Sequence, residues 1–204
     1  MNKQLNDIWE KKFGDDYTKR KLLAHEKEGK LRENFWKLLI GRFSDIKSVL
    51  EIGPNAGMNL EGIWKADPKL TITGIEPNEF AYNTATERSN GRYRIIKGSV
   101  YDLTPEIIAD LVITCTVLIH IHPLDLERAL TKIYDSAGRY ILIMEYYWPK
   151  LCQIEYRGLT DVLWKRDFGA YILSKFKLNI IETGYLDVRD GFDRTTWWLF
   201  EKNK

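Results

Sequence analysis

The chain has 204 residues, 44% of them hydrophobic, and a net charge of +2 from 31 basic and 29 acidic side chains. This length predicts one domain, residues 1–204, around one buried core. The even charge gives no electrostatic case for a nucleic acid or membrane partner. Residues 1–17 lack the apolar run of a signal peptide, and no stretch resembles a membrane span, so we expect a cytoplasmic protein. The two cysteines, Cys115 and Cys152, lie in no zinc-ligand spacing, so no metal site is predicted.

Segments with helical and strand patterns alternate along the chain. Residues 5–40 have helical spacing, which predicts an N-terminal helical cap over residues 1–42, with a break at Gly14. Short apolar runs predict strands, and Gly138 marks the end of the helix before the fifth strand. The strands are expected at 46–52, 70–76, 93–96, 111–115 and 140–144, with helices at 58–65, 77–88 and 124–136. This alternation is typical of parallel βαβ units.

The pattern changes after Pro149. A helix is predicted over residues 161–176, followed by strands at 178–188 and 195–201. The intervening RDGFDR is rich in Gly and Asp, which indicates a hairpin turn. We therefore expect an α/β, Rossmann-like core over residues 45–204, with a seven-stranded, mostly parallel sheet that ends in an antiparallel hairpin.

The segment VLEIGPNAGMNL, residues 49–60, has the pattern of a strand, a glycine loop and a helix. Gly53 permits a tight turn, and Gly57 permits close approach of a ligand to the start of the helix. Glu76 ends the next predicted strand 23 positions after Gly53, where a carboxylate accepts hydrogen bonds from ribose hydroxyls. The loop lacks the GxGxxG pattern that binds a pyrophosphate. A nucleoside cofactor without phosphates is therefore predicted.

These residues resemble the class I S-adenosylmethionine-dependent methyltransferases over roughly residues 46–144. The loop departs from that family's usual pattern, because Pro54, Asn55 and Ala56 separate the two glycines. The resemblance implies S-adenosylmethionine as cofactor and S-adenosylhomocysteine as product. It places Glu51 near the methionine part, Glu76 at the ribose, Ser99 and Val100 at the adenine, and the segment from Thr114 to Val117 near the sulfonium. The full implied cofactor set is Phe13, Tyr17, Glu51, Gly53, Asn55, Gly57, Asn59, Glu76, Pro77, Ser99, Val100, Thr114, Thr116 and Val117.

Six further segments resemble a narrower group, the methylases associated with pseudaminic acid biosynthesis. They are WEKKFGDDYTKR, EIGPNAGMNL, VLIHIHP, ILIMEYYWP, IEYRG and LWKRDF, in the same order almost from end to end. This resemblance implies that the methyl acceptor is a sugar or nucleotide sugar of the nonulosonic acid pathway, methylated at a hydroxyl or an amine.

A sugar hydroxyl is a poor nucleophile, so a base is expected to take its proton. His120 and His122, in VLIHIHP, follow the fourth predicted strand and would share one side of an extended stretch. Glu145 ends the fifth strand, where it could orient a histidine or bind a hydroxyl. Each of the three is equally compatible with a structural role.

Aromatic and basic residues follow the fifth strand. Tyr146, Tyr147, Tyr156, Arg157 and Arg166 are the candidates for substrate binding, because arginine binds a carboxylate or phosphate bidentately. An exposed helix face with surface ion pairs would explain the arginines equally well.

At the N-terminus, Trp9, Phe13, Tyr17 and Arg20 have helical spacing, which indicates either a lid over the cofactor or an aromatic stripe packed on the sheet. Other functions compatible with the sequence are methylation of tRNA or protein, a non-catalytic cofactor-binding module and a nicotinamide dehydrogenase. The sequence does not predict an oligomeric state.

Overall fold

The computed structural model describes residues 8–203, without the side chain of His25. The helices are α1 (Lys12–Gly41), α2 (Met58–Ala66), α3 (Glu79–Ser89), α4 (Leu126–Ser136) and α5 (Phe168–Leu173). The strands are β1 (Ser48–Ile52), β2 (Thr71–Glu76), β3 (Arg94–Lys97), β4 (Ala109–Cys115), β5 (Ala137–Glu145), β6 (Cys152–Gln153), β7 (Trp164–Lys165), β8 (Leu178–Leu186) and β9 (Thr195–Lys202). Short 3₁₀ turns span Val100–Asp102 and Leu118–His120.

Seven strands form one sheet in the order β3-β2-β1-β4-β5-β9-β8. The strands from β3 to β5 pair in parallel, and β9 lies antiparallel between β5 and β8. The order reverses at β1, which lies between β2 and β4. An open sheet with this topology has its ligand crevice beyond the carboxyl ends of the strands on either side of the reversal.

Both faces of the sheet are covered, which explains why its central strands are apolar without interruption. Successive β4 side chains alternate between faces: Leu111 and Ile113 pack with α1 and α2 around Trp36, whereas Val112 packs with α4 and α5. Trp36 is fully buried, so the C-terminal half of α1 belongs to the packed core.

The predicted sheet and hairpin are confirmed, and three local predictions are wrong. Gly14 does not break the helix, because the turn falls at Lys11, and the missing Cβ of Gly14 leaves room for the carbonyl of Trp9. Gly138 lies inside β5 instead of ending α4. The helix expected at 161–176 is only Phe168–Leu173, because Trp164–Lys165 pairs with Cys152–Gln153 as a separate two-stranded sheet.

No helix in residues 8–203 is long and apolar enough to span a membrane. The same residues hold no group of three or more His, Cys, Asp or Glu side chains that could bind a metal ion. The division between a cap at 1–42 and a core at 45–204 stays a prediction.

Candidate functional site

A cavity opens at the carboxyl ends of β1, β2 and β4, where the strand order reverses. We call it the cofactor cavity. Of the fourteen residues that the sequence implied for a cofactor, eleven line it: Tyr17, Glu51, Gly53, Asn55, Asn59, Glu76, Pro77, Ser99, Val100, Thr116 and Val117.

Three of the fourteen do not line the cavity. Phe13 packs its ring against Trp9, with 5.1 Å between ring centres, and it is Trp9 that reaches the cavity. Thr114 is fully buried and donates a hydrogen bond to Glu145 over 3.2 Å. Gly57 begins α2 with φ +82°, and a Cβ there would lie 2.9 Å from the hydroxyl of Tyr93. The need for glycine at position 57 therefore comes from the backbone conformation and from Tyr93, and not from a ligand.

The loop between β1 and α2 is held in a conformation that few side chains tolerate. Gly53 has φ +66°, and a Cβ there would lie 2.8 Å from a methyl group of Val117. Asn55 also has a positive φ of 51°, and its side-chain amide donates to Thr18 of α1 over 2.8 Å. Left-handed backbone at a non-glycine residue costs free energy and clusters at binding sites. This hydrogen bond fixes the loop to α1.

Glu76 ends β2 with its carboxylate held by backbone donors. One oxygen accepts from the amide N–H of Asn55 and the other from that of Asn78, both over 2.9 Å. Burial raises the pKa of Glu76 to about 7, although these two N–H groups and Lys97 act in the opposite direction. Each oxygen keeps a further lone pair, so a rigid acceptor pair faces the cavity at the place where a ribose was expected.

Glu51, on β1, is the second buried carboxyl group of the cavity and is only 1% exposed. Its Oε1 accepts from Asn59 over 2.6 Å, whereas its Oε2 is buried without a hydrogen-bond partner in the described structure. Burial raises the pKa of Glu51 to about 7, and Asn59 and Arg32 oppose that rise. An unpartnered buried oxygen is costly, which points to a ligand that donates to it.

Arg32 extends this network from the cavity to the β8–β9 turn. It is 7% exposed, donates to Asn59 over 2.8 Å and donates to the carbonyl of Gly191 over 2.7 Å. Its guanidinium lies 4.4 Å from the ring centre of Phe192. A nearby ion pair joins Lys21 of α1 to Asp193 over 2.8 Å. Arg32 and Lys21 of α1 thus connect the part of the cavity around Glu51 to the β8–β9 turn.

His120 lies in the 3₁₀ turn after β4 and lines the cavity. Its Nδ1 is 2.7 Å from the carbonyl oxygen of Val162, which accepts only, so Nδ1 carries the proton and Nε2 is free to accept one. Burial lowers the pKa of His120 to about 4, so the ring is neutral near pH 7. The ring also packs against Trp9, with 4.2 Å between ring centres.

The other two catalytic candidates are placed differently. The 3₁₀ turn destroys the alternation that put both histidines on one side; His122 packs against Trp164, with 5.1 Å between ring centres, and does not line the cavity. Glu145 is fully buried and accepts from the backbone N–H groups of residues 117, 118 and 119 over 3.0, 3.0 and 3.3 Å. Burial raises its pKa to about 7. Glu145 therefore positions the turn that carries His120.

No family model matches the chain, and no curated protein matches it. Solved structures do. A magnesium protoporphyrin IX methyltransferase from Synechocystis PCC 6803 with bound S-adenosylhomocysteine superposes with a TM-score of 0.75 at 12% identity, covering 100% of both chains. A 1,6-didemethyltoxoflavin-N1-methyltransferase from Burkholderia thailandensis gives a TM-score of 0.71 at 13% identity, covering 92% of this chain and 84% of that one. An O-methyltransferase from a Brevibacillus brevis polyketide multienzyme gives 0.68 at 15% identity, covering 90% and 76%.

The chain has the class I methyltransferase fold. The antiparallel β9 between β5 and β8 completes the seven-stranded sheet of that fold. Identities of 12–15% establish the architecture alone.

Ser99 and Val100, which were expected at the adenine, make different contacts. Val100 is 5% exposed and presents an apolar wall to the cavity. The hydroxyl of Ser99 is bonded to Asp102 over 2.7 Å, and the backbone N–H of Ser99 donates to the same carboxylate oxygen. This capping box orders the loop after β3 and leaves Val100 as the contact surface.

The predicted substrate residues separate into two groups. Tyr146 and Tyr147 line a second cavity together with Lys165, Val188, Asp193 and Arg194. Tyr156, Arg157 and Arg166 line neither of the two cavities. Tyr156 packs against Phe13 and His120, Arg157 is exposed, and Arg166 lies over the ring of Tyr171 at 3.5 Å.

Sequence reasoning missed several residues of the cofactor cavity. Trp9, Lys21 and Arg32 reach it from α1 or the residues before it, and Asp193 reaches it from the β8–β9 turn. Cys115, at the end of β4, also lines it, and burial raises the pKa of its thiol to about 12. Trp9 belonged to a predicted aromatic face, and Cys115 lies in the segment from Thr114 to Val117 that was implied near the sulfonium. Nothing local in the sequence signals Lys21, Arg32 or Asp193.

Proposed function

We propose that this protein is an S-adenosylmethionine-dependent methyltransferase that acts on a small-molecule acceptor and releases S-adenosylhomocysteine. The observation that carries the proposal is the pair of buried carboxyl groups in the cofactor cavity. Glu76 presents an acceptor pair for ribose hydroxyls, and Glu51 presents an unpartnered oxygen for an ammonium group. A nucleoside joined to an amino acid satisfies both groups at once.

The remaining contacts fit the same ligand. The methionine carboxylate pairs with Arg32, which lines the cavity beside Glu51. Val100 covers one side of the adenine, and the loop from Gly53 to Asn55 lies between the two ends. Bound there, S-adenosylmethionine supplies an electrophilic methyl group, which passes to a lone pair of the acceptor while the electrons of the carbon–sulfur bond stay on sulfur.

His120 is the proposed base when the acceptor is a hydroxyl. The hydrogen bond from Nδ1 to Val162 fixes the tautomer, and Nε2 takes the proton that the acceptor loses. The lowered pKa keeps the ring neutral near pH 7, so Nε2 has a free lone pair. Trp9 and Tyr156 surround the ring and limit the access of water to it.

The acceptor class is proposed from the segments that resemble the methylases associated with pseudaminic acid biosynthesis. A sugar or nucleotide sugar of a cytoplasmic nonulosonic acid pathway is the acceptor that this resemblance favours. The structural neighbours named above act, by their names, on a magnesium porphyrin and on didemethyltoxoflavin, which are also small molecules.

Calorimetry on the purified chain tests cofactor binding with S-adenosylhomocysteine and with NAD. The expected result is binding of the first and none of the second, and the reverse result would contradict the proposal. Incubation with labelled S-adenosylmethionine and a panel of nucleotide sugars and nonulosonic acids, followed by mass spectrometry, then identifies the acceptor. Cofactor binding without transfer to any compound, including tRNA and protein, would support a non-catalytic module instead.

A further inference from the structure

The second cavity lies directly beside the cofactor cavity. Both cavities are lined by Asp193, so the side chain of this residue forms part of the wall between them. Tyr146 and Tyr147 follow β5, whose neighbour β4 ends in the cofactor cavity at Cys115. An acceptor in the second cavity would therefore enter next to the place where a methyl group is expected.

Two cations of the second cavity, Lys165 and Arg194, form no ion pair within 4 Å in the part of the chain that the structure describes. Lys165 is half-buried, and its Nζ lies 5.4 Å from the ring centre of Tyr146. Arg194 is exposed at the end of the β8–β9 turn. Asp187 acts electrostatically on Arg194 from nearby but is paired with Arg189 over 2.8 Å.

The carboxylate in this cavity does not neutralise these cations, because it already has a partner. Asp193 is paired with Lys21 over 2.8 Å, from the cofactor side. The two remaining charges, of Lys165 and Arg194, therefore give the cavity a positive potential of the kind that binds an anion. The backbone of Arg194 is held at φ +52°, which fixes where its side chain leaves the chain.

The rest of the lining suits a ring that carries hydroxyl groups. Tyr146 and Tyr147 offer aromatic surface with a hydroxyl at the tip, a combination that packs against sugars and donates to them. Burial, and then the charge of Asp193, raise the pKa of the Tyr146 hydroxyl, so it stays a donor.

We propose that the second cavity is the acceptor site, and that it takes an acceptor with an anionic group, a carboxylate or a phosphate, held by Lys165 and Arg194. This inference rests on the proposed methyltransferase function and specifies its substrate class. It replaces the earlier expectation that Arg157 and Arg166 hold the anion.

Calorimetry on the chain saturated with S-adenosylhomocysteine tests the proposal with matched probes. N-acetylneuraminic acid is compared with its methyl ester, and glucose 6-phosphate with glucose, so each pair differs in the anionic group. We expect at least one anion to bind about tenfold or more tightly than its neutral partner, as charge-assisted hydrogen bonds predict. The pair that shows the preference distinguishes carboxylate from phosphate recognition.

The double variant Lys165→Gln/Arg194→Gln is expected to abolish this preference and leave the affinity for S-adenosylhomocysteine unchanged. Arg157→Gln is the control, because Arg157 is also exposed with a left-handed backbone, at φ +55°, but lies outside both cavities. It is expected to keep the preference. The proposal is overturned if neither anion is preferred over its neutral partner, or if only Arg157→Gln removes the preference. It is also overturned if the double variant no longer binds S-adenosylhomocysteine. Failure of the wild-type chain to bind S-adenosylhomocysteine would instead contradict the methyltransferase function itself.

Discussion

Replacing Glu76 by glutamine tests the ribose assignment with the smallest change in shape. Both carboxylate oxygens accept a backbone N–H over 2.9 Å, but an amide has one acceptor oxygen, so one N–H group then faces an NH₂ group. A buried donor without a partner costs about 1–3 kcal/mol, which lowers the stability of the ligand-free protein. Loss of one charge-assisted hydrogen bond to the ribose costs about 1.5–3 kcal/mol, or about 10- to 150-fold in Kd. Glu76→Ala loses both bonds, and we expect about 10²- to 10⁴-fold weaker binding.

Calorimetry with S-adenosylhomocysteine and with its 2′-deoxy analogue measures these losses. Wild-type protein should discriminate between the two ligands, and Glu76→Ala should not. Glu79→Gln is the control. It removes the same charge three residues further along the chain, from a side chain that is 69% exposed. If both Glu76 variants melt cooperatively and still bind S-adenosylhomocysteine as tightly as the wild type, Glu76 does not hold the ribose.

Four further outcomes are expected. Binding of S-adenosylhomocysteine should strengthen as the pH rises from about 6 to about 8, because the pKa values of Glu51 and Glu76 are about 7 and their carboxylates bind the ammonium group and the ribose. Glu51→Gln should retain only the part of the rise that Glu76 contributes, and an undiminished rise would contradict the role of Glu51. The raised pKa of Glu51 also means that the folded chain binds a proton more tightly than the unfolded chain does. The resulting contribution to the stability of the fold is complete below pH 4.5, the ordinary pKa of a glutamate, and is lost as the pH rises through about 7. His120→Ala should lower the methyl-transfer rate about 10²- to 10⁴-fold while S-adenosylhomocysteine still binds, and retained turnover removes His120 from the mechanism. Gly62→Ala should destabilise the fold by about 1–3 kcal/mol in urea unfolding. The reason is that the new Cβ would lie 2.6 Å from the ring of the buried Trp36. Gly41→Ala is the control, because no atom lies within 4 Å of its new Cβ, and this variant should not lower the stability.

The sheet was predictable because its signals are local. Continuous apolar strands, glycine-containing turns and intervening helices each lie within about ten residues of sequence, and they specify parallel pairing without long-range information. The wrong elements depend on distant partners. Trp164 and Lys165 form a strand only because Cys152 and Gln153 lie beside them, so the sequence alone suggested a longer helix there.

The candidate site divides in the same way. Glu51, Gly53 and Glu76 were found because a strand–loop–helix pattern fixes their positions relative to the ligand. Arg32 and Asp193 reach the cavity from elements that are distant along the chain, and only tertiary packing brings them there. Lys165 and Arg194 were missed for that reason, whereas Arg157 was selected for its residue type and local surroundings, which do not indicate the direction of an exposed side chain.

The thiol of Cys115 lines the cofactor cavity, where its protonation state decides whether it can be methylated. A thiolate is a strong nucleophile, and under the proposed function it would lie in the same cavity as a sulfonium that can methylate it. Burial raises the pKa of Cys115 to about 12, which leaves about one thiolate in 10⁵ molecules at pH 7. Under the proposed function, the burial that keeps this thiol protonated therefore also protects it from methylation by a bound sulfonium.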